Sequence, residues 1–445
     1  MELPGFRLTD ALRSWGRVEA GPHYLAAPSF RDQPAGLLRA AQERGVSVLA
    51  TGLRRSYGDS GLNLGAAALD MTRLDRLIAF DPATGVLRAE AGVSLGEVIR
   101  RLAPRGWFPP TTPGTRFVTL GGAVANDVHG KNHHRAGTFG SSVRALGLLR
   151  SDRGLVEIGP DREPELFAAT VGGLGLTGAI LWVEFQLSSI GSCWLDAETV
   201  PFGDLDGFFA LAEESAALFE HTVAWVDCAT PGAVGRGIFN RANWRGDGRY
   251  DLHDDGVMKT LPVDLPGFAL NPLTLRAFNA LYYSRQAAKP RQAVQHYVEA
   301  FYPLDAIGGW NRLYGGRGFF QYQCVTPMAA GIAPVKALLA EIARAGQGSF
   351  LAVLKTFGER PSPGLLSFPQ PGVTLALDFP NRGEATYRLL ARLDDIVAEA
   401  GGRLYPAKDG RMPASLFASG YPDLARFTPH LDPAFSSSFW RRIHA

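Results

Sequence analysis

The sequence predicts an α+β fold of two domains, and three observations lead to that prediction. The 445 residues, 46% of them hydrophobic, are enough for two or three domains at roughly 150 residues each. Residues 1–190 mix short strands and helices without the regular βαβ alternation of a doubly wound sheet. From about residue 191 the strand-like segments suit one antiparallel sheet with helices between them.

Composition excludes several functional classes. The formal net charge is +2, whereas a nucleic-acid-binding protein normally carries a basic face, so we expect no nucleic-acid partner. The 3 cysteines are far apart and fit neither a disulfide framework nor a metal motif. The N-terminus lacks a basic segment followed by an apolar one, and no run approaches the ~18 apolar residues of a membrane span. We expect a cytoplasmic protein, with any membrane contact peripheral.

The first half contains clear element signals. Residues 46–52 predict a short buried strand that ends at a glycine. Residues 67–91 predict paired strands around a turn at Asp81-Pro82-Ala83-Thr84-Gly85. Ser94, followed three residues later by Glu97, predicts the capping box of a helix. This succession of short elements is typical of an α+β domain.

The second half predicts an antiparallel sheet with helices over 207–219, 334–345 and 384–400. Residues 232–290 are the least regular part and predict a mobile loop over a site or a surface excursion. The predicted strands lie in the segments CWLDAETVPF, TVAWVDCAT, GFFQYQCVTP, SFLAVLKTFG and VTLALDFP.

Glycine is concentrated in three loops of the first half, at 51–65, 114–140 and 172–178. The 52 glycines amount to about 12% of the chain against a usual ~7%. Glycine allows positive φ and close backbone approach, so such loops can direct successive N–H groups at a phosphate. Tight turns are the alternative for any single loop, but three loops together favour a large phosphate-bearing cofactor.

The third loop contains a misleading motif. Gly173-Leu174-Gly175-Leu176-Thr177-Gly178 matches G-x-G-x-x-G, which binds a dinucleotide only where a strand precedes it and a helix follows. Here the preceding EPELFAATV is helical in pattern and the following AILWVEFQL alternates like a strand. The reversed order excludes a Rossmann turn.

Polar side chains crowd the second glycine loop between Asn126 and His134. Histidines suggest a metal, but the chain offers no second set of ligands at matching spacing, so we expect no metal site. A cradle for a polar cofactor edge is the favoured interpretation.

These motifs resemble the vanillyl-alcohol oxidase/para-cresol methylhydroxylase superfamily of FAD enzymes, and the resemblance covers most of 46–190 and 297–412. It implies the two-domain PCMH-type FAD-binding fold, with an FAD domain over 1–190, a substrate domain over 191–402 and a tail over 403–445 that returns to the FAD domain. The segments that carry the resemblance are RRSYGDSGLN, PGTRFVTLGGAVANDVHGKNHHRAGTFG, ATVGGLGLTGAI, FYPLDAIGGWNRLYG, GFFQYQCV, SFLAVLKTFG, LSFPQPG, LDFP and GGRLYPAKDGR.

By resemblance the FAD is held without a covalent bond, because Arg55 and Arg116 stand where tethered relatives carry His and Cys. The positions that match the family's FAD contacts are Leu53, Arg54, Arg55, Ser56, Tyr57, Gly58, Asp59, Ser60, Gly114, Thr119, Gly121, Gly122, Asn126, Asp127, His129, Ile180 and Tyr405.

The resemblance also implies a catalytic group and a substrate pocket. Oxidation of a secondary alcohol needs a group that takes or directs the hydroxyl proton and one that stabilises negative charge on the reduced flavin. Lys408, in YPAKDGR, is the first candidate and could fill either role, with Tyr57 and His129 as further catalytic candidates. Positions that match substrate contacts are Lys131, Trp225, Tyr302, Arg312, Gln321, Gln323 and Lys355, of which Lys355 and Arg312 suit a phosphate.

The resemblance implies an FAD-dependent oxidase that converts a secondary hydroxyl of a ribose-type polyprenylphosphoryl pentose to the keto sugar. This would be the first half of an epimerisation to the arabinose form in cell-envelope polysaccharide synthesis, with an NAD(P)H-dependent keto-sugar reductase as partner and a quinone-type electron acceptor. Thr374 and Ala376 replace an Asn and a Cys of mycobacterial-type members. The alternatives are an oxygen-using oxidase of a soluble alditol or aldonolactone, and a non-catalytic flavin-binding or electron-relay subunit.

Overall fold

A computed structural model describes residues 2–253, 259–267, 269–289 and 291–445. The N-terminal half forms a four-stranded sheet in the order β1-β2-β4-β3 and a five-stranded sheet in the order β5-β6-β10-β8-β9. Its strands are β1 (Arg7–Thr9), β2 (His23–Ala26), β3 (Val48–Thr51), β4 (Ala67–Asp70), β5 (Leu77–Asp81), β6 (Val86–Glu90), β7 (Trp107–Phe108), β8 (Val143–Arg150), β9 (Gly154–Ile158), β10 (Ala179–Gln186) and β11 (Ser188–Ser189). Its helices are α1 (Gln33–Gln42), α2 (Leu95–Leu102), α3 (Leu120–Ala125), α4 (His133–Ala136) and α5 (Pro164–Thr170).

The second half is organised by one eight-stranded sheet in the order β16-β12-β14-β13-β19-β20-β18-β21. Every neighbouring pair in it is antiparallel, which confirms the predicted sheet and the α+β class. The strands are β12 (Trp194–Phe202), β13 (His221–Val226), β14 (Gly237–Trp244), β15 (Lys259–Thr260), β16 (Gln292–His296), β17 (Ile307–Gly308), β18 (Phe319–Pro327), β19 (Ala352–Phe357), β20 (Gly372–Pro380) and β21 (Arg403–Leu404). The helices are α6 (Leu205–Ala216), α7 (Pro272–Ala287), α8 (Tyr297–Phe301), α9 (Ala333–Ala345), α10 (Glu384–Glu399), α11 (Ala414–Gly420), α12 (Leu424–Phe427) and α13 (Ser438–Ile443).

The local signals of the first half are confirmed, with one difference. β5 and β6 form the predicted hairpin, and the Asp81 side chain accepts hydrogen bonds from Ala83 N and Thr84 Oγ1 within the turn. Ser94 caps α2 by accepting from Glu97 N at 3.1 Å. The difference concerns the Glu97 carboxylate, which forms ion pairs with Arg100 and Arg101 of the same helix.

The interpretation of 232–290 as a mobile loop or surface excursion is wrong where the segment forms regular elements. It contains β14, which pairs with β12 on one side and with β13 on the other. It also contains α7, which begins at Asn271 with a capping box closed by Thr274. The sequence did not reveal β14 because its Arg241 reads as a surface residue. In the structure Arg241 is buried, and Glu198 and Glu214 neutralise its charge. Residues 254–258, 268 and 290 of the segment lie outside the described residues.

Alternation along the central strands separates a core from a polar face. On β20, Val373, Leu375, Leu377 and Phe379 pack in the main hydrophobic core with α9 and α10. Because successive side chains of a strand point to opposite faces, the intervening residues face the other way. The same alternation on β13, β18 and β19 places Trp225, Gln321, Gln323 and Lys355 on that other face, together with Thr374 and Ala376.

The C-terminal segment contacts the N-terminal half directly. The Arg442 guanidinium donates to both carboxylate oxygens of Asp59, at 2.8 and 3.0 Å, and to Asp409 at 2.9 Å. Phe435 forms an isolated parallel bridge with Val48 of β3. These contacts support the predicted return of the tail, while the domain boundaries at 190 and 402 stay predictions. Within the described ranges, no helix has the length and apolar character needed to cross a bilayer.

Candidate active site

A cavity of about 850 Å³ lies between the polar face of the central sheet and the glycine loops of the first half. All three glycine loops reach it, although the first and the third are more than 100 residues apart in the sequence. The sequence-predicted residues that line it are Leu53, Arg54, Arg55, Ser56, Tyr57, Ser60, Gly114, Thr119, Gly121, Gly122, Asn126, His129, Lys131, Ile180, Trp225, Gln321, Gln323, Lys355, Tyr405 and Lys408.

The glycine-lined part of the cavity suits a large phosphate-bearing cofactor. An added Cβ at Gly114 would meet no protein atom within 4 Å, so the second loop leaves open space beside its backbone. Gly175 has φ +76° and Arg54 has φ +52°, conformations that turn the backbone sharply at the wall. Arg54 and Arg55 supply positive charge there, and Ile180 and Leu174 supply apolar surface. The volume also lies within the ~300–1,000 Å³ typical of such sites.

Helix and strand order in the third loop confirm the exclusion of a Rossmann turn. α5 precedes the G-x-G-x-x-G motif and β10 follows it. Gly178 has φ +141°, and an added Cβ there would lie 2.5 Å from the Leu149 carbonyl oxygen. This glycine therefore serves close packing of β10 on β8.

Three residues predicted to contact the cofactor stand behind the cavity wall. Gly58 packs so closely on the tail that an added Cβ would lie 1.4 Å from the Asp409 carbonyl oxygen. The Asp59 carboxylate forms an ion pair with the Arg442 guanidinium of the tail. Asp127 accepts from Gly140 N at 2.8 Å and from Ser367 Oγ at 2.5 Å, and burial raises its pKa to about 6. Their shared position indicates that they hold the loops in shape.

The two arginines at the tether positions have different surroundings. The Arg55 guanidinium stacks on the Trp15 ring with its carbon 4.1 Å from the centroid, and it donates to Phe117 O at 3.3 Å. Arg116 is buried, its backbone N–H donating to Asp305 Oδ2 at 2.9 Å. Neither side chain is of a type that forms a flavin bond.

Three of the 6 lysines of the chain line this one cavity. Burial lowers the pKa of Lys131 to about 8, that of Lys355 to about 7 and that of Lys408 to about 8. Lys131 and Lys408 lower the pKa of Lys355 further by repulsion. A cluster of buried ammonium groups is stabilised by an anion, so the cavity is suited to an anionic ligand.

Lys408 lies beside the Tyr57 ring, with Nζ 4.1 Å from its centroid. A backbone hydrogen bond from Tyr57 N to Ala407 O at 3.0 Å fixes the two residues together. Behind them, Gln321 donates to Asp378 Oδ1 at 2.6 Å. Burial raises the pKa of Asp378 to about 7, opposed by Gln321 and Lys408. Lys408 thus has a partly compensated charge and a pKa close to neutral pH, as a proton acceptor requires.

His129 and Lys355 form a second polar group. Lys355 Nζ lies 2.8 Å from His129 Nδ1 and donates to Gly130 O at 2.8 Å. The Gln323 amide contacts His129 Nε2 at 3.0 Å and Thr374 Oγ1 at 3.3 Å. Burial and then the charge of Lys355 lower the pKa of His129 well below its ordinary value, so this imidazole is neutral. Tyr405, stacked on Phe368, donates to Asn126 O at 2.8 Å and completes the wall.

Two predicted substrate residues are not among those that line the cavity. Arg312 donates to the carbonyl oxygens of Leu261 and Pro262, so its guanidinium holds the segment after β15. Tyr302 is fully buried and hydrogen-bonds the Thr112 hydroxyl, which does line the cavity. Trp225 remains at the wall, donating to Phe350 O at 3.0 Å.

Asp378 was missed at the level of sequence, although a signal was present. It interrupts the apolar run VTLALDFP, and a carboxylate within a buried strand is rare without a partner or a function. Trp15, Phe117 and Tyr282, which also line the cavity, carried no such signal because isolated aromatic residues are most often core.

Comparison with known proteins accounts for this arrangement. Residues 22–159 match the family model of an FAD binding domain. Decaprenylphosphoryl-β-D-ribose oxidase of Mycolicibacterium smegmatis is 37% identical over 98% of this chain and 97% of its own length. The chain belongs to the decaprenylphosphoryl-β-D-ribose oxidase family of FAD-binding enzymes. An uncharacterised Streptomyces coelicolor protein is 34% identical over 79% of this chain, and D-arabinono-1,4-lactone oxidase of Eremothecium gossypii is 26% identical over 41%.

Membership of the decaprenylphosphoryl-β-D-ribose oxidase family makes this protein an FAD-dependent oxidoreductase that acts on a CH–OH group. The matched FAD domain, residues 22–159, contains the first two glycine loops entirely, and the third loop begins at residue 172, beyond its end. Of the lysine cluster, Lys355 lies on β19 and Lys408 in the segment after β21, whereas Lys131 lies in the second glycine loop. Both halves of the chain therefore supply residues to the lysine cluster.

Proposed function

We propose that this protein oxidises a secondary hydroxyl of a ribose-type polyprenylphosphoryl pentose to the keto sugar, the first half of an epimerisation to the arabinose form in cell-envelope polysaccharide synthesis. The observation that carries the proposal is the cluster of Lys131, Lys355 and Lys408 in one cavity. A phosphodiester brings the negative charge that this cluster needs. Similarity over 98% of the chain to an enzyme named for such a substrate supports the same assignment.

The proposed chemistry uses few residues. Bound FAD supplies the acceptor for the hydride that leaves the carbinol carbon. Lys408 Nζ, neutral for part of the time at neutral pH because burial lowers its pKa to about 8, takes the hydroxyl proton. Asp378, behind it, stabilises the ammonium ion that results. Tyr57 keeps its proton, since burial raises the pKa of its phenol well above the ordinary value, and its ring orients Lys408.

Lys355 and Lys131 are proposed to hold the substrate phosphate. Lys355 is anchored by Gly130 O and His129 Nδ1, so its ammonium is held in place before the anion arrives. Arg312, the other phosphate candidate, is engaged with two backbone carbonyl groups. The neutral His129, fixed between Lys355 and Gln323, is a positioning group for both.

The change Lys355→Met is expected to raise KM for the lipid-linked substrate ~10–100-fold, because charge-assisted hydrogen bonds to phosphate contribute more than neutral ones. Steady-state kinetics of the holoenzyme measure it. Lys336→Met is the matched control, since Lys336 is 52% exposed and pairs with Asp206 on the surface. An unchanged KM in Lys355→Met would assign the phosphate elsewhere.

The pH profile of kcat/KM is expected to be bell-shaped with its maximum between pH 7 and 8. As pH falls through about 8, Lys408 becomes protonated and can no longer accept a proton. As pH rises through about 7, Lys355 loses the charge that binds phosphate. Profiles of the Lys355→Met enzyme check the assignment: because Lys131, with a pKa of about 8, remains to bind the phosphate, the alkaline limb should move to higher pH while the acid limb stays. An alkaline limb that does not move contradicts the assignment.

Substrate assays separate the proposed function from its nearest alternative. Detergent-solubilised polyprenylphosphoryl ribose should bleach the flavin of the purified enzyme, whereas soluble alditols and aldonolactones should not. Rapid peroxide production from a soluble polyol under oxygen would favour the alternative oxidase. That alternative draws on the lactone oxidase match, which covers only 41% of this chain.

Two partners and the mode of cofactor attachment follow from the same proposal. A keto sugar becomes the epimer only after hydride return, so we infer a partner reductase that uses NAD(P)H. Reduced flavin needs an acceptor, for which we infer a quinone-type carrier at a membrane that the enzyme contacts peripherally. With Arg55 and Arg116 at the tether positions, acid denaturation should release all FAD into the supernatant, and flavin retained on the protein would refute non-covalent binding.

A further inference from the structure

Helix α7 presents a row of apolar side chains to solvent. Leu273, Phe278 and Leu281 are 75%, 45% and 55% exposed. With the exposed Ala277 between them, they share one face of the helix because residues three or four apart are neighbours. The opposite face is buried through Leu275 and through Asn279, which donates to Asp227 Oδ1 at 3.0 Å. We call Leu273, Ala277, Phe278 and Leu281 the α7 stripe.

The α7 stripe adjoins the cavity. Phe278 belongs to both, since it is partly exposed and also lines the cavity beside Tyr282. Its ring packs on Phe350, another cavity residue, at a centroid distance of 5.6 Å. Ile307, 40% exposed, lines the cavity as well. An apolar surface therefore continues from solvent into the substrate side of the site.

The sequence of α7 and its flanks is basic. Between Leu265 and Val298 the sequence contains 4 basic residues and no acidic one. Arg285 and Lys289 are exposed at and just beyond the C-terminal end of α7. Apolar side chains exposed on a helix, with cations near its end, suit the interface of an anionic bilayer, which offers apolar contact and negative charge together. A two-fold related second copy would instead bring two sets of cations together, which is unfavourable.

We propose that the α7 stripe and the cations beside it dock on the surface of an anionic lipid bilayer, with the opening of the cavity toward the lipid. The proposal rests on the proposed function, because a polyprenyl chain is held in a membrane. Docking there lets the phosphosugar enter the cavity while its chain stays in lipid or along the apolar surface of Phe278 and Ile307. The bilayer is the surface that the exposed leucines of α7 contact.

Vesicle co-sedimentation of the full-length holoenzyme tests this docking. Wild-type protein should sediment with vesicles of equimolar phosphatidylglycerol and phosphatidylcholine, and much less with phosphatidylcholine alone. Leu273→Ser with Leu281→Ser, and separately Arg285→Glu with Lys289→Glu, should each weaken binding on the order of tenfold. Leu155→Ser with Leu218→Ser is the matched control, because these leucines are 58% and 62% exposed outside α7. The control should sediment like wild type.

Turnover in detergent separates this proposal from the proposed function. None of the substituted residues lines the cavity, so both α7 variants should oxidise detergent-solubilised substrate at the wild-type kcat. Wild-type protein that stays in the supernatant, or variants that sediment as well as wild type, would overturn the docking surface even if the enzyme is active. A concentration-dependent dimer that the α7 variants abolish, without vesicle binding, would also overturn it. Inactivity on the lipid-linked sugar in detergent would refute the proposed function alone. The charge-reversal pair gives an independent result where the serine pair lowers stability.

Discussion

Replacing Lys408 with methionine is expected to lower kcat by ~10²–10⁴-fold while FAD stays bound, because a positioned proton acceptor contributes about that much. The amine lies 4.1 Å from the Tyr57 ring centroid in the wall of the cavity, and methionine keeps most of its length and volume. Stopped-flow absorbance measures the effect directly, as the rate at which substrate bleaches the flavin.

Two further variants give this prediction its control. Lys336→Met, on the exposed face of α9, should bleach at the wild-type rate. In Lys408→Arg the guanidinium stays protonated near neutral pH, so it keeps the positive charge but cannot accept the hydroxyl proton. This variant should therefore be nearly as slow as Lys408→Met. An arginine variant with most of the wild-type rate would mean that charge, not proton transfer, is the role of Lys408. Unchanged bleaching in Lys408→Met would remove Lys408 from the mechanism, whereas wild-type flavin that the substrate does not bleach would support a non-catalytic flavin-binding or electron-relay subunit.

The second large effect is expected from Gly58→Ala, which should destabilise the folded protein by about 3 kcal/mol and lower its FAD content. An added Cβ would lie 1.4 Å from Asp409 O and 2.7 Å from Gly410 Cα. Both are backbone atoms, so no side chain can rotate away to relieve the overlap. The loop that carries Arg54–Tyr57 would separate from the tail and move Tyr57 away from Lys408.

Denaturant unfolding, together with flavin absorbance per protein, measures this effect. Gly61→Ala is the control in the same loop, because an added Cβ there meets only the Ser56 side chain, with Cβ at 3.7 Å and Oγ at 3.9 Å, both ordinary contact distances. The control should change the free energy of unfolding by less than ~0.5 kcal/mol. Wild-type stability in Gly58→Ala would show that the contact between the loop and the tail does not limit folding.

How far the sequence predicts this molecule is best judged from individual residues. Periodicity located β13, β18, β19 and β20, because their core-facing residues are apolar and close in sequence. Periodicity alone does not say what lies opposite the core, so the pairing of Lys355 with His129, 226 positions away, comes only from tertiary structure. The resemblance supplied Lys355 as a site residue, and the structure supplied its partners.

Failures of prediction have equally local causes. Arg312 was expected at the substrate phosphate, yet its guanidinium satisfies the carbonyl groups of Leu261 and Pro262. Such backbone partners leave no pattern in a sequence. The helix α7 was missed within 232–290 because the glycine and charge content of the preceding residues dominated that segment. Asp378 was overlooked since one carboxylate in an apolar strand was counted as part of the strand.

The hydrogen bonds between Arg442 and Asp59 join residues 383 positions apart. During synthesis at ~5–20 residues per second, the ribosome needs roughly 20–80 s to pass from one partner to the other. Throughout that interval Asp59 lacks its cation, and the loop that it anchors has no tail to rest on. The loop can therefore make its contacts with Arg442 only when nearly the whole chain has been synthesised.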